Sequence, residues 1–204
     1  MLLGFSVFGH KTNNGYTFTT KTLTGMNQKL IKLVGVAGLF IGGILGMAGS
    51  FISSPSLRSL AWGVDGVGLI LATSLLTIHY FRKESDVTAA GFLIFAIGEG
   101  LILSSSGIDL NAGISSFGAG ISLWAASLFL ISFQKTFPLF IRCTGLLAAV
   151  LFSIVAVQIF TGNQLNALAK PLPFYAYPIF VITIFGWAFT LLKELPLSRG
   201  TTRK

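Results

Sequence analysis

Six long apolar stretches, separated by short polar segments, are the feature that most constrains how this chain can fold. They cover residues 33–53, 60–80, 88–106, 113–133, 141–160 and 174–192. The hydrocarbon core of a bilayer is about 30 Å thick, and a helix needs about 20 apolar residues to cross it. Lipid offers no hydrogen-bond partner to an open backbone, so each stretch is predicted to be helical. The sequence therefore predicts an all-α, polytopic membrane bundle of six transmembrane helices.

The composition favours a single membrane domain. Hydrophobic residues make up 53% of the 204 residues and charged residues only 10%, against about 25% charged residues in a typical soluble domain. We assign the transmembrane domain to residues 29–193, with a cytoplasmic extension at 1–28, expected to be poorly ordered, and a basic cytoplasmic tail at 194–204. The segment that starts at Met26 reads as a natural beginning for a membrane protein, so residues 1–25 are expected to be an addition to it.

The distribution of basic residues predicts the orientation. With six spans, both termini and the second and fourth loops lie on one face. Of the fourteen Lys and Arg residues, twelve fall on that face and two, Arg58 and Lys170, on the other. The twelve are Lys11, Lys21, Lys29, Lys32, Arg82, Lys83, Lys135, Arg142, Lys193, Arg199, Arg203 and Lys204. The positive-inside rule then places both termini in the cytoplasm and the chain in the inner or plasma membrane.

The distribution of basic residues also indicates whether the chain meets lipid or nucleic acid. The basic residues stand at the ends of apolar stretches rather than along one polar face, which is the pattern of a topology signal. The net charge of +8 therefore does not indicate nucleic-acid binding, and the predicted partner is the lipid bilayer. A loose recurrence of residues 37–41 at 90–94 favours an arrangement of three consecutive helical hairpins.

Small residues recur every four positions in the first span, at Gly38, Gly42, Gly46 and Ser50. Such a spacing forms a ridge on one helix face and lets another backbone approach closely. Contact within the chain is the favoured interpretation, because six helices offer many partners. The alternative is a seam between copies of the chain, or with a partner membrane protein.

Glu99 is the residue most indicative of function. It lies in Gly98-Glu99-Gly100, about 16 Å into the third span at 1.5 Å per residue and thus close to the middle of the membrane. Ionisable residues at that depth are costly and often serve ion or substrate pathways. Two hypotheses carry equal weight: a role in transport, proton transfer or ligand binding, and a protonated Glu99 that bonds a Ser or a backbone carbonyl across helices.

Asp65 is the second candidate, nearer the outer end of its span. We favour an interfacial carboxylate that pairs with Arg58 or caps a helix, with a polar path shared with Glu99 as the alternative. His79 is expected to be a solvated residue at the cytoplasmic surface. The aromatic, proline-rich segment 171–178 is expected to anchor the interface, or else to form an outer lid over Glu99.

Enzymatic chemistry finds no support in the sequence. Cys143 is the only cysteine, and no Gly-x-Ser-x-Gly, HExxH, phosphate-loop or dinucleotide motif occurs. We therefore predict no catalytic residues, no metal site and no cofactor. The functional hypothesis is a small non-enzymatic pore or carrier for protons or a small polar solute, centred on Glu99. The alternative is a structural or accessory multi-pass protein without transport activity. A polar cavity that reaches Glu99 from one side would favour the first, and a Glu99 sealed among side chains would favour the second.

Overall fold

A computed structural model describes residues 18–106 and 112–195, with side chains at 28–105 and 112–195. It contains six helices, and every one is long and apolar enough to cross a membrane. They are α1 (Phe18–Phe51), α2 (Pro55–Phe81), α3 (Asp86–Ser106), α4 (Ile114–Phe133), α5 (Leu139–Phe160) and α6 (Ala176–Lys193). The prediction of an all-helical, six-span bundle is confirmed.

Proline and glycine mark two of the helix ends. Helix α2 begins at Pro55, well before the apolar run predicted to start at residue 60. Proline suits the first helical position because its missing N–H needs no partner there. At the end of α5, Gly162 adopts a φ of +103°, the left-handed conformation that commonly terminates a helix.

The chain termini extend beyond the transmembrane helices. The membrane-crossing part of α1 is Gln28–Phe51, and the helix continues back to Phe18, inside the segment assigned to the N-terminal extension. Residues 1–17 of that extension and 196–204 of the basic tail lie outside the described residues, so their predicted states stay predictions.

The six helices form a closed ring in chain order. Each helix packs against the next, and α1 packs against α6 to complete the circle. The predicted hairpins α1–α2, α3–α4 and α5–α6 are therefore confirmed as contacting pairs. We call the end that holds the α2–α3 and α4–α5 connections the basic end. The end that holds the other three connections is the cavity end.

Aromatic side chains fill the middle of the ring. Phe92 and Phe95 of α3 contact Trp187 and Phe180 of α6 across it, with ring centroids 5.1 and 5.6 Å apart. Trp124 of α4 stacks on Phe95 at 5.6 Å. All five side chains are almost completely buried, so the described part of the ring has a packed centre rather than an open channel. Other apolar side chains, such as Ile44, Val67 and Phe189, point outwards, as expected for a surface in contact with lipid.

The ridge of small residues on α1 faces α2. A Cβ added at Gly38 would lie 2.6 Å from the Gly68 carbonyl oxygen, and one added at Gly42 would lie 2.5 Å from Leu69. Such separations are too short for real atoms, so the two backbones approach as closely as they do only because these side chains are missing. This face of α1 is thus occupied within a single chain.

A cluster of charges ties three helices together at the basic end. Glu194 accepts hydrogen bonds from Lys32 at 2.9 Å and from Lys83 at 2.8 Å. Burial opposes ionisation of Glu194, but the hydrogen bonds and charges of the two lysines outweigh it and hold its pKa below the usual value. His79 lies 4.0 Å from the same carboxylate and packs on Tyr80. It is 4% exposed, so the expectation of a solvated histidine is wrong; its position on the inner face of α2 buries it.

Candidate functional site

A partly enclosed cavity enters the bundle from the cavity end and reaches Asp65 and Glu99. Its volume, taken as the space open to the centre of a water molecule, is about 60 Å³, which is room for about four waters. All six helices and the α5–α6 connection contribute to its mostly apolar wall. The wall comprises Ser50, Trp62, Asp65, Glu99, Ile102, Leu103, Ser105, Phe117, Ile121, Trp124, Phe152, Asn166, Ala167, Pro173 and Tyr177.

The two carboxyl groups come together at the α2–α3 contact. A Cβ added at Gly66, the neighbour of Asp65, would lie 3.2 Å from Oε1 of Glu99. The absence of a side chain at Gly66 therefore lets the Glu99 carboxyl rest against the backbone of α2. Asp65 is 6% exposed and Glu99 is 3% exposed. The alternative in which the two acids share one polar path matches this placement.

Arg58 does not pair with Asp65. Its Nε and Nη2 donate hydrogen bonds to the carbonyl oxygen of Ile52, at 3.1 and 2.8 Å, and its guanidinium lies 5.9 Å from the centre of the Trp62 ring. The favoured expectation of an interfacial Asp65–Arg58 pair is thus not met. Arg58 instead closes the α1–α2 connection, where a carbonyl at the C-terminal end of α1 needs a donor.

The acids have few partners inside the protein. The Tyr177 hydroxyl donates a long hydrogen bond of 3.5 Å to Oδ2 of Asp65. Among the described residues, Oδ1 of Asp65 and Oε2 of Glu99 have no hydrogen-bond partner, while the indole of Trp124 on α4 lies beside the Glu99 carboxyl. A buried polar atom without a partner costs about 1–3 kcal/mol, and such atoms are uncommon in native proteins. Water or a ligand in the cavity is therefore expected to supply the missing bonds.

No basic side chain neutralises the acids. In the described ranges, the Lys and His residues that approach a carboxylate do so at Glu194, at the opposite end of the bundle. A bare carboxylate is expensive in a medium of low polarity. The pair is therefore expected to hold a proton or to sit beside a bound cation.

The α5–α6 connection forms part of the cavity wall. Asn166, Ala167 and Pro173 line the cavity together with Tyr177 from the start of α6. Tyr175, in contrast, is 56% exposed, as expected of an interfacial anchor. In the segment 171–178 some side chains therefore face outwards and others form part of the cavity wall, and the anchor and lid interpretations both stay predictions.

The aromatic part of the wall was not foreseen from the sequence. Trp62, Trp124 and Tyr177 all face the acids, but an aromatic residue near a span end is normally read as an interfacial anchor. Trp124 did carry a usable signal, because it lies well inside a span and a buried indole N–H normally needs a partner. Trp62 has one, since it donates to the Gly46 carbonyl oxygen at 3.3 Å.

Comparison with known protein families, with curated proteins and with solved structures finds no match. Within the described ranges, no group of three or more His, Cys, Asp and Glu side chains lies close enough together to hold a metal ion. Function must therefore be inferred from the chemistry of the cavity.

Proposed function

We propose that this protein is a non-enzymatic membrane carrier for protons or a small polar solute, with Glu99 at its centre and Asp65 as a second polar point. The observation that carries the proposal is a cavity that reaches Glu99 from one end of the bundle. A purely structural Glu99 would bond a Ser or a carbonyl on a neighbouring helix. Its Oε2 makes no such bond within the described residues.

The packed centre of the ring favours a carrier over a pore. Phe95 lies one turn from Glu99 towards the basic end, and it stacks on Trp124 and Phe180. A solute that reaches Glu99 from the cavity end therefore meets aromatic rings, and it can continue only if the helices rearrange. Alternating exposure of a site near the middle of the membrane is the general mechanism of carriers.

The proposed orientation places the cavity on the extracytoplasmic side of the cell membrane. Its support is the distribution of the basic residues, twelve of which fall on the side of the termini and two on the other. The rule that basic loops stay in the cytoplasm then assigns the basic end to the inside. Glu99 would be reached from outside the cell.

A structural or accessory role is the second candidate. It is favoured by the near-complete burial of Glu99 and by the dense aromatic centre, which leave the described helices without a visible route to the basic end. In that case the cavity would hold a few waters that satisfy the two carboxyl groups, and the chain would stabilise an assembly of other membrane proteins or of its own copies.

Flux through proteoliposomes separates these two functions. The purified protein is reconstituted with a pH-sensitive dye inside the vesicles, and proton uptake is followed after a potassium diffusion potential is imposed. Radiolabelled small solutes are tested in the same vesicles. Wild type is compared with Glu99→Gln, Asp65→Asn and the control Glu84→Gln, which removes one carboxylate from the exposed α2–α3 connection.

We expect flux in wild type and Glu84→Gln, and its loss in Glu99→Gln. Equal thermal midpoints in detergent would exclude misfolding as the cause. Absence of flux in all four proteins, with Glu99→Gln only less stable, would instead support the accessory role.

A further inference from the structure

The cavity offers acceptors for a positively charged donor. Asp65, Glu99 and Tyr177 all line the cavity, and Oδ1 of Asp65 and Oε2 of Glu99 are buried without a hydrogen-bond partner in the described part of the chain. The hydroxyl of Tyr177 lies 3.5 Å from Oδ2 of Asp65. Two carboxyl groups and a hydroxyl can together accept the three N–H donors of a primary ammonium group. Charge-assisted bonds of this kind are the strongest hydrogen bonds that a protein makes.

The remainder of the wall suits the apolar part of such a ligand. Trp62 and Trp124 present aromatic surfaces beside the acids, and Phe117, Ile121 and Phe152 complete the apolar lining. Aromatic faces attract cations as well as hydrocarbon. A strongly hydrated metal ion would find few oxygen ligands here, whereas an organic cation can use both the carboxyl groups and the rings.

We propose that the cavity binds a small primary alkylammonium ion, with its ammonium group between Asp65 and Glu99 and its alkyl chain against the aromatic wall. A volume of about 60 Å³ limits the ion to about four or five heavy atoms, at 10–15 Å³ for each water-sized unit. The proposal rests on the proposed function, because it names the class of solute that the carrier site takes.

Charge balance links the ligand to a proton. The empty pair holds a proton, and that proton leaves to the solvent as the ammonium ion enters, so the charge inside the membrane is unchanged. The titratable groups that face the site from the described helices are Asp65, Glu99 and Tyr177. Arg58 is engaged with a backbone carbonyl, and Lys170 lies over the Phe174 ring. Binding is therefore expected to weaken as the pH is lowered.

Tryptophan fluorescence of the purified protein in detergent provides the test. Two of the three tryptophans line the cavity, so a bound amine should change their emission. Propylammonium chloride is titrated against sodium chloride at equal ionic strength, and against 1-propanol and tetramethylammonium chloride as probes that lack the charge or the N–H donors. The proteins are wild type, Glu99→Gln, Asp65→Asn and Glu84→Gln.

We expect saturable binding of propylammonium to wild type and Glu84→Gln, at least tenfold weaker binding to Glu99→Gln and Asp65→Asn, and weaker binding at lower pH. Propanol should fail to saturate, and tetramethylammonium should bind at least tenfold more weakly. The probe comparison uses wild type alone, so it stands even where a variant does not fold.

Two results would overturn the amine site. One is the absence of saturable binding, and the other is equal binding of propylammonium and 1-propanol. If proton flux still depended on Glu99, the proposed carrier function would survive that outcome. If neither binding nor flux were found, both proposals would fall together.

Discussion

Gly46 is predicted to be the position where a single methyl group most disturbs the site. A Cβ added there would collide with the Tyr177 hydroxyl and would lie 2.5 Å from Oδ2 of Asp65. Gly63 on α2 is the matched control, because an added Cβ there has no other atom within 4 Å. Both changes are Gly→Ala within a helix, so both gain the same backbone preference of about 1 kcal/mol.

The difference between the two variants isolates the steric cost. Overpacking in a close-packed interior costs about 1–3 kcal/mol. Gly46→Ala should therefore be less stable than Gly63→Ala by about that amount, with the common helix preference cancelled. Tyr177→Phe removes the atom that the new methyl group meets, at the cost of one long hydrogen bond, about 0.5 kcal/mol. In the double variant Gly46→Ala/Tyr177→Phe, about half or more of the steric cost should disappear. The clash with the hydroxyl is removed, and the Asp65 carboxyl can rotate away from the new methyl group.

Unfolding free energies measured by titrating SDS into detergent micelles give the two double-mutant cycles. The Gly46→Ala and Tyr177→Phe pair should show a favourable coupling of about 1–2 kcal/mol, whereas Gly63→Ala and Tyr177→Phe should be additive within about 0.5 kcal/mol. Equal stabilities of Gly46→Ala and Gly63→Ala would refute the steric argument. Additivity in the first cycle would show that the hydroxyl of Tyr177 is not the group in contact.

Other parts of the structure give three further predictions. Arg142 donates to two carbonyl oxygens at the end of α4, at 2.8 and 3.2 Å, so Arg142→Ala should lower the unfolding free energy by about 1–3 kcal/mol. The control Lys135→Ala, at an exposed position, should change it by less than about 0.5 kcal/mol, and equal losses in the two variants would contradict the capping role of Arg142. The pKa of Glu194 is held below its usual value of 4.5, so its contribution to stability is complete above that pH and is lost as the pH falls through the lowered pKa. Denaturation curves of wild type and Glu194→Gln should therefore converge in acid, and a constant gap between them would exclude ionisation as the cause. A cysteine placed at Gln164 in a Cys143→Ala background should react with an impermeant maleimide from outside intact cells, and labelling only after lysis would reverse the proposed orientation.

Hydropathy was sufficient to predict the helices because a membrane span is decided by the length of a continuous apolar stretch along the sequence. Segment 141–160, for example, differs from α5 by only two residues at its start. Whether a side chain faces the bundle or the lipid depends on which helices pack beside it, and residues distant in the sequence decide that packing. Glu99 was therefore identified as important without its partners. His79 was assigned to the surface, although its helix face turns inwards.

Asp65 shows again that contacts between helices could not be predicted from the sequence of one helix. Its distance along α2 suggested an interfacial pair with Arg58, and both residues do lie near the cavity end. They stand seven residues apart, about two turns and about 10 Å along the helix; Arg58 turns back to the α1–α2 connection, while Asp65 turns into the bundle. The packing of α1 and α3 against α2, with Tyr177 reaching across from α6, places Asp65 beside Tyr177 and in the same cavity wall as Glu99.

The glycine ridge of α1 and the acid pair, which are separate features of the sequence, contact each other in the structure. A Cβ at Gly42 would lie 3.2 Å from Oδ1 of Asp65, and one at Gly46 would lie closer still to Oδ2. Gly66 does the same for Glu99 on the other side of α2. At Gly42 and Gly66 an added Cβ would also meet the side chains of Leu69 and Leu103, at 2.5 and 3.1 Å, so these glycines serve helix packing and leave room for the carboxyl groups together. Their arrangement therefore connects the tight α1–α2 contact with the cavity chemistry, and substitution at any of the three should alter ligand binding as well as stability.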